Sequence, residues 1–327
     1  MIRHSSQFVA ALGMSLLSAA PALAHYPVRP ITLVVPFSVG GGSDSVARIL
    51  SEHMAKTLGQ PIIIENDGGA GGTTATARVA RAPADGYTLI LGNLGTHGAA
   101  PAQYPNLKYA PAKDFTPIGQ TVGFPMLIVT RKDFPADNLQ EFVDYVRKNQ
   151  AKLNEAHSGV GSSSHTVCTL LQAVLGIKTA RVAYRGTGPS LNDLIAGQVD
   201  FKCVGLNAAW APIQAKTVKV IAIASPKRAV GIADVPTSIE GGVPEFQVSG
   251  WNALFAPRGL PPDIRATLSG ALRSALDDER VRSRLLGAGS EIPDEEDRTP
   301  QALERLVVSE VARWSAVLKA AATAAGN

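Results

Sequence analysis

The chain has 327 residues, 45% of them apolar and 18% charged, with a formal net charge of +4. That length suits about two ordinary domains, and the composition excludes a disordered chain. The mild, evenly spread positive charge argues against a nucleic-acid surface, and there is no basic run with interleaved aromatics, no heptad, no repeat and no low-complexity stretch.

The first element in chain order is a targeting segment. In MIRHSSQFVAALGMSLLSAAPALA, Arg3 and His4 precede an apolar run over residues 8–17, and Ala22-Leu23-Ala24 is a small-x-small cleavage site. The run falls short of the ~20 residues that a membrane span needs. Residues 1–24 are therefore expected to be a signal peptide cleaved after Ala24, so that the exported chain starts at His25. No cysteine stands at the cleavage site, which argues against a lipid anchor. Cys168 and Cys203 could form one disulfide in an oxidising compartment or stay buried as thiols, and their spacing does not decide. Without a CxxC pair or a His/Cys cluster at ligand spacing, neither a metal nor a catalytic role is expected of them.

Short apolar runs then alternate with helical patterns. Residues 31–37 read as a strand, and 45–58 as a helix with Val46, Ile49, Leu50, Met54 and Leu58 on one face, capped by Ser43 or Asp44. Strands follow at 61–65 and 88–92, with a helix over 74–81 between them. This order implies an α/β fold with a mainly parallel sheet and helices on both faces. Further on, 126–130 reads as a strand and Asn138 as the cap of a helix carrying Leu139, Phe142, Val143 and Val146. Helices are expected from about 163 and over 189–196, and strands at 181–184, 199–204, 218–224 and 246–256. The end is helical over 262–276, 279–286 and 300–321. Trp314 falls on the apolar stripe of the last helix and reads as core.

In α/β sheets ligands bind at the carboxyl ends of strands, and five post-strand loops here are rich in glycine and small hydroxyls. They are Ser38 to Asp44, Asn66 to Thr74, Gly92 to His97, Ser158 to His165, and Tyr184 to Gly188. The first joins strand to helix through Gly40, Gly41 and Gly42, where unpaired N–H groups and the helix dipole make an anion site. Several such loops, split between two lobes, suit a carboxylate held from both sides of a cleft. No G-x-x-x-x-G-K-[ST], G-x-G-x-x-G or G-x-S-x-G is present, which removes the usual nucleotide and nucleophile-elbow sites. Ser162, Ser163 and Ser164 beside His165 leave a secreted hydrolase or transferase as the alternative. Adjacency at a helix start does not by itself give a serine–histidine–acid geometry, and His165 reads better as a helix-start donor or ligand contact. His97 is similarly ambiguous, whereas His53 and His157 look like ordinary polar positions.

Taken together these motifs resemble the Bug receptors, the substrate-binding proteins of tripartite tricarboxylate transporters. The resemblance runs from YPVRPITLVVPF through LGQPIIIEN, GAGG, ADGYTLILG, GVGSSSH, AYRG, LIAGQVD and VPTSIEGGVPEF to GWNALFAPRGLP, nearly the whole mature chain. It implies a type II periplasmic-binding-protein fold, two α/β lobes with a ligand cleft between them. Residues 25–124 and 226–327 would form lobe 1 and 125–225 lobe 2. It further implies a periplasmic receptor that takes a small organic acid for transport or sensing: a di- or tricarboxylate, an acidic amino acid or an aromatic acid. The expected partners are transporter membrane subunits. A monomer is expected, with no enzyme activity, cofactor, metal or nucleic acid. Carried over by position, lobe 1 would offer Phe37, Ser38, Gly40, Gly41, Ser43, Asp44 and Thr96. Lobe 2 would offer Gly161, Ser162, Ser164, His165, Tyr184 and Gly186.

This chain departs from the family pattern at three places. Val39 stands where proline is usual in the first loop, and Asp67 where a basic residue is usual. After Asp200 the chain reads Phe201-Lys202-Cys203-Val204-Gly205-Leu206-Asn207, without the usual acid at Val204 and with an added Lys202. The loss of that acid and the gain of Lys202 are expected to alter which distal group of a ligand is accepted.

Overall fold

The computed structural model describes residues 26–325; the targeting segment and His25 lie outside the described residues. Parallel strands β1 (Ile31–Val35), β2 (Ile62–Asn66) and β3 (Thr88–Asn93) open the first half. Between them lie α1 (Gly42–Leu58) and α2 (Thr73–Val79), and α3 (Ala100–Gln103) follows a π-helical turn over Leu94–Ala99. The second half holds α4 (Leu139–Asn149), β5 (Asn154–His157), α5 (Ser163–Leu175), β6 (Ala180–Ala183), α6 (Thr187–Ile195), β7 (Phe201–Gly205), α7 (Leu206–Gln214) and β8 (Val218–Ile223). The chain then returns through β9 (Ser249–Pro257) to α8 (Pro262–Asp277), α9 (Glu279–Gly287) and α10 (Pro300–Ala325).

One strand joins the halves. β4 (Phe115–Arg131) pairs antiparallel with β9 over Phe115 to Pro125, then with β7 and β8 over Met126 to Arg131. The strand order is β2-β1-β3-β9-β4-β7-β5-β6, with β8 on β4. Each flank is parallel, as the alternating pattern implies, but the middle is antiparallel, so the sheet is mixed and not mainly parallel. β4 is far longer than the stretch 126–130 expected from sequence. Pro117, Gly119, Gly123 and Pro125 break the apolar pattern, and the chain absorbs the first of them with register shifts between Pro117 and Gly119 and between Gln120 and Val122.

After β8, Ala229 and Ile232 pack into the same apolar cluster as Leu191, Leu194 and Val204. Val248 then donates its N–H to Ala224 O. The segment 226–248, grouped with lobe 1 by position, thus packs on the second half, because β9 is where the sheet pairing returns to the first. Trp314 is fully buried, as its stripe predicts, and donates Nε1–H to Glu310 Oε2 at 3.0 Å. Among the described residues no helix is long and apolar enough to cross a membrane.

Candidate functional site: a cleft of helix starts

The carboxyl ends of β1 and β3 in one half face those of β5 and β6 in the other. A cavity of about 50 Å³ lies between, lined by Phe37, Gly41, Gly42, Ser43, Asp44, Asn93, Ser158, Ser162, Ser163, Ser164 and Thr187. Three helices aim their N-termini at it: α1 from Gly41, α5 from Ser162 and α6 from Gly186. Each leaves unpaired N–H groups and a partial positive charge at its start. The only charged residue in the lining is Asp44, so the positive character of the cavity comes from backbone.

Asp44 is expended on its own loop. Its Oδ2 accepts from Gly40 N–H and Arg48 Nε, both at 3.1 Å, and its Oδ1 accepts from Asn66 Nδ2 at 3.0 Å. Burial pushes this carboxyl up, but the bonds from Arg48, Gly40 and Asn66 together outweigh it and hold its pKa below the usual range. That network also explains why α1 starts at Gly42 with Gly41 as its cap, and not under Ser43 or Asp44. Gly40 sits at φ +85° in the turn that Asp44 closes, a conformation that favours glycine.

The hydroxyls are arranged by proton. Ser43 Oγ accepts from Asn252 Nδ2 at 2.9 Å, Ser163 Oγ from Gly95 N–H at 3.0 Å, and Ser162 Oγ from His165 N–H at 3.3 Å. Each of these hydroxyls keeps its own proton free to donate into the cleft. Ser158 and Thr187 share a bond at 3.0 Å, which leaves one proton of the two for another acceptor. Ser164 instead donates to Cys203 O at 2.7 Å. Among the described residues neither Asn207 Nδ2, buried beside Gly42, nor the buried Asn252 Oδ1 has a hydrogen-bond partner.

Of the residues expected from sequence, the cavity wall takes Phe37, Gly41, Ser43, Asp44, Ser162 and Ser164. Ser38 lies at the rim, where its Oγ donates to Arg185 O of the other half at 3.0 Å. Gly186 approaches the Ser38 backbone so closely that a β-carbon would stand 3.0 Å from its nitrogen. Gly161 packs on the Tyr104 ring. Tyr184 turns away, donating its hydroxyl to Asp193 Oδ2 at 2.7 Å. Thr96 is fully buried behind the cleft, closing a capping box with Asn93.

His97 belongs to the core: it is fully buried, stacked on Phe255 at 4.1 Å, and burial pulls its pKa down to about 3. His165 bonds Gln103 Oε1 at 2.6 Å through Nδ1, and its Nε2 accepts from Arg181 at 3.2 Å. Burial first, then His157 and Arg181, lower its pKa to about 3. No serine hydroxyl meets its ring among the described residues. His157, expected as an ordinary polar position, is buried against His165, with ring centroids 4.7 Å apart.

Asn93, Ser158, Ser163, Thr187 and Gly42 lie in loops marked by the sequence without being chosen there. Asn207 and Asn252 were not marked as site residues, since they adjoin Gly42 and Ser43 only through the placement of α7 and β9. Val39 is 59% exposed and is not part of the cavity lining. Cys168 and Cys203 form a disulfide, with Cα atoms 5.4 Å apart, tying α5 to β7.

The halves touch backbone to backbone. A β-carbon on Gly71, itself at φ +63°, would collide with Val160 O. Tyr104 places its hydroxyl between Ala70 O at 2.8 Å and Val160 O at 2.6 Å. Gln103 Nε2 donates to Thr166 Oγ1 at 2.6 Å. The cleft is closed.

Two α/β halves meeting over a cleft of helix starts define a type II periplasmic-binding-protein fold. The chain belongs to the tripartite tricarboxylate transporter family receptors, whose family model matches residues 46–322. It is similar to the malate-bound MatC of Rhodopseudomonas palustris, at 48% identity over 89% of this chain and 99% of that one, with a TM-score of 0.88. It is also similar to the periplasmic binding protein BugD, at 39% identity over 91% and 99% of the two chains, with a TM-score of 0.88. A second R. palustris protein, with adipate, is 33% identical over 91% and 98%, with a TM-score of 0.86. Members of this family are periplasmic solute-binding proteins.

Proposed function

We propose that this chain is an exported, non-enzymatic receptor that closes on a small dicarboxylate and presents it to transporter membrane subunits or to a sensor. The observation that carries the reading is the donor set: three helix starts and hydroxyls with free protons converge on one cavity, with no cationic side chain in its wall. N–H bonds to a carboxylate are about twice as strong as those between neutral groups, so such a cleft can hold an anion and still release it. Phe37, Gly41, Ser43, Ser162 and Thr187 are the contacts we assign. Ser38, Gly161 and Gly186 would act by letting the lobes meet, and Asp44 and Ser164 by holding their loops. Among the described residues no serine hydroxyl beside His165 meets its ring, whose nitrogens face Gln103 and Arg181, which favours the receptor over a hydrolase. Malate in a 48% identical relative and adipate in a 33% identical one favour a dicarboxylate. We take residues 25–125 with 249–327 as one lobe and 126–248 as the other, with cleavage after Ala24 delivering the protein to the periplasm.

A cavity of about 50 Å³ has room for one or two waters, each filling about 30 Å³, so the lobes must part to admit an organic acid. Ligand then shifts the open–closed balance only by its preference for the closed state. The test is thermal unfolding of the mature protein with organic acids. A ligand at 100 times its Kd adds about 2.7 kcal/mol of stability, and malate is expected to raise the Tm accordingly. Silence across di-, tri-, amino and aromatic acids would overturn the assignment.

A further inference from the structure

Lys202, an addition to the family pattern, does not reach the cleft wall. It is fully buried. It pairs in the sheet with Val129, on the face where Val129, Leu191, Leu194 and Val204 form an apolar cluster under α6. Its ammonium donates to Ser190 Oγ. Glu155 pairs with Phe201, the neighbour of Lys202, and so lies on the opposite face of the sheet. There it is ion-paired with Arg181 at 3.0 Å. Among the described residues no carboxylate forms an ion pair with Lys202.

A buried charge of this kind is a poor packing device. An apolar side chain of similar volume would hold α6 on the sheet without the cost of desolvation. The hydrogen bond from Lys202 instead leads towards the cleft. Ser190 Oγ lies 3.2 Å from Gly186 O and 2.9 Å from Thr187 O, and since it accepts from Lys202 its single proton goes to those carbonyls. Thr187 lines the cavity. The ammonium thus sits behind the cleft-facing start of α6, two hydrogen bonds from a residue of the wall.

We propose that Lys202 is a positioning residue that sets affinity for the anionic ligand from behind the site: its ammonium secures the start of α6 and attracts the carboxylate, and binding draws a proton onto its amine. The proposal rests on the carboxylate reading above. Burial pulls this amine down to about 7, with Glu155 opposing. Near neutral pH it is therefore only partly charged, and an anion nearby favours the charged form. Binding must then be tighter below that pKa than above it. The other titratable groups around it are accounted for. Burial raises Glu155 to about 7, against Arg181, Gln172 and Lys202. Burial lowers His157 to about 4, which keeps it neutral in this range. Asp193 of α6 is engaged by Tyr184, and Arg131 of β4 by Asp133 and Asp200.

The experiment is calorimetric titration with L-malate, and with adipate as second probe, in buffers of different ionisation enthalpy. For the wild type a Kd about tenfold lower at about pH 6 than at about pH 8.5 is expected, with fractional proton uptake near pH 7. Lys202→Met should bind about tenfold more weakly than wild type at about pH 6, about equally at about pH 8.5, and take up no proton. Lys202→Arg, charged throughout, should bind tightly at both and also take up none, which serves if the Met variant fails to fold. Glu155→Gln should still take up a proton. Uptake that persists in both Lys202 variants, or that vanishes only in Glu155→Gln, overturns the proposal while leaving the receptor intact. If the wild type binds no carboxylate at all, the receptor reading falls and this inference with it.

Discussion

In the first half of the cleft one carboxylate does the holding: Asp44 gathers Gly40, Arg48 and Asn66 and fixes the loop between β1 and α1. In the second half no acid lines the cavity. Its loops are held by serine hydroxyls on backbone atoms, by the disulfide between α5 and β7, and by Lys202 under α6. The difference teaches that the same surface, helix starts aimed at an anion, can be stiffened by a carboxylate network or by a disulfide, hydroxyl bonds and a buried amine. Only the first kind should titrate at acid pH.

The hardest blow to the pair of jaws is a change where they meet. Gly71→Ala puts a β-carbon into Val160 O and should block closure, raising the malate Kd about a hundredfold or more. The left-handed φ adds only about 1 kcal/mol of lost stability, so unfolding curves would separate the two effects. A folded variant with near wild-type affinity would show that closure is not needed for binding.

Breaking the second jaw's covalent tie comes next. Removing Cys168 and Cys203 together opens a loop spanning 35 residues, which should cost about 4 kcal/mol by urea unfolding, with a similar loss in wild type under reductant. The first jaw should respond less. Asp44→Asn leaves Arg48, half of it in solvent, without its partner and should cost about 1–2 kcal/mol at neutral pH. Because the folded-state pKa of Asp44 is lowered, its contribution is present above the unfolded value and is lost as pH falls through the folded one. The gap between wild type and Asp44→Asn should therefore close at acid pH, and a gap that stays constant would mean the network is not ionic. At the small end, Val39→Ala should change neither jaw, with Kd for malate and adipate within about twofold, since an exposed surface side chain contributes little.

The glycine run after β1 was legible in sequence because an apolar strand, three glycines and an amphipathic helix follow one another without interruption. The start of α5 near Ser163 and Asn138 as the cap of α4 were legible for the same local reason. Of β4 only the stretch 126–130 was, because two prolines and two glycines interrupt the alternation before it and only pairing with β9 straightens them. Nor were Asn207 and Asn252, which stand behind Gly42 and Ser43 from α7 and β9, both distant in sequence. Thr96 was expected at the site only by resemblance to the family, and His97 was ambiguous. The π-helical turn folds both inward, where Asn93, Tyr109 and Phe255 enclose them. Lys202 was expected to influence which distal group is accepted, and period-two alternation alone cannot say which face of a central strand meets the cleft.

The Tyr104 hydroxyl has two carbonyl oxygens within reach and one proton to give. Ala70 belongs to its own half and Val160 to the other, so parting the lobes exchanges one acceptor for its neighbour. No donor is stranded on the way out. A latch of this kind adds little to the barrier against opening, and so favours a short residence time over a deep hold, which suits a protein whose cargo must be handed on.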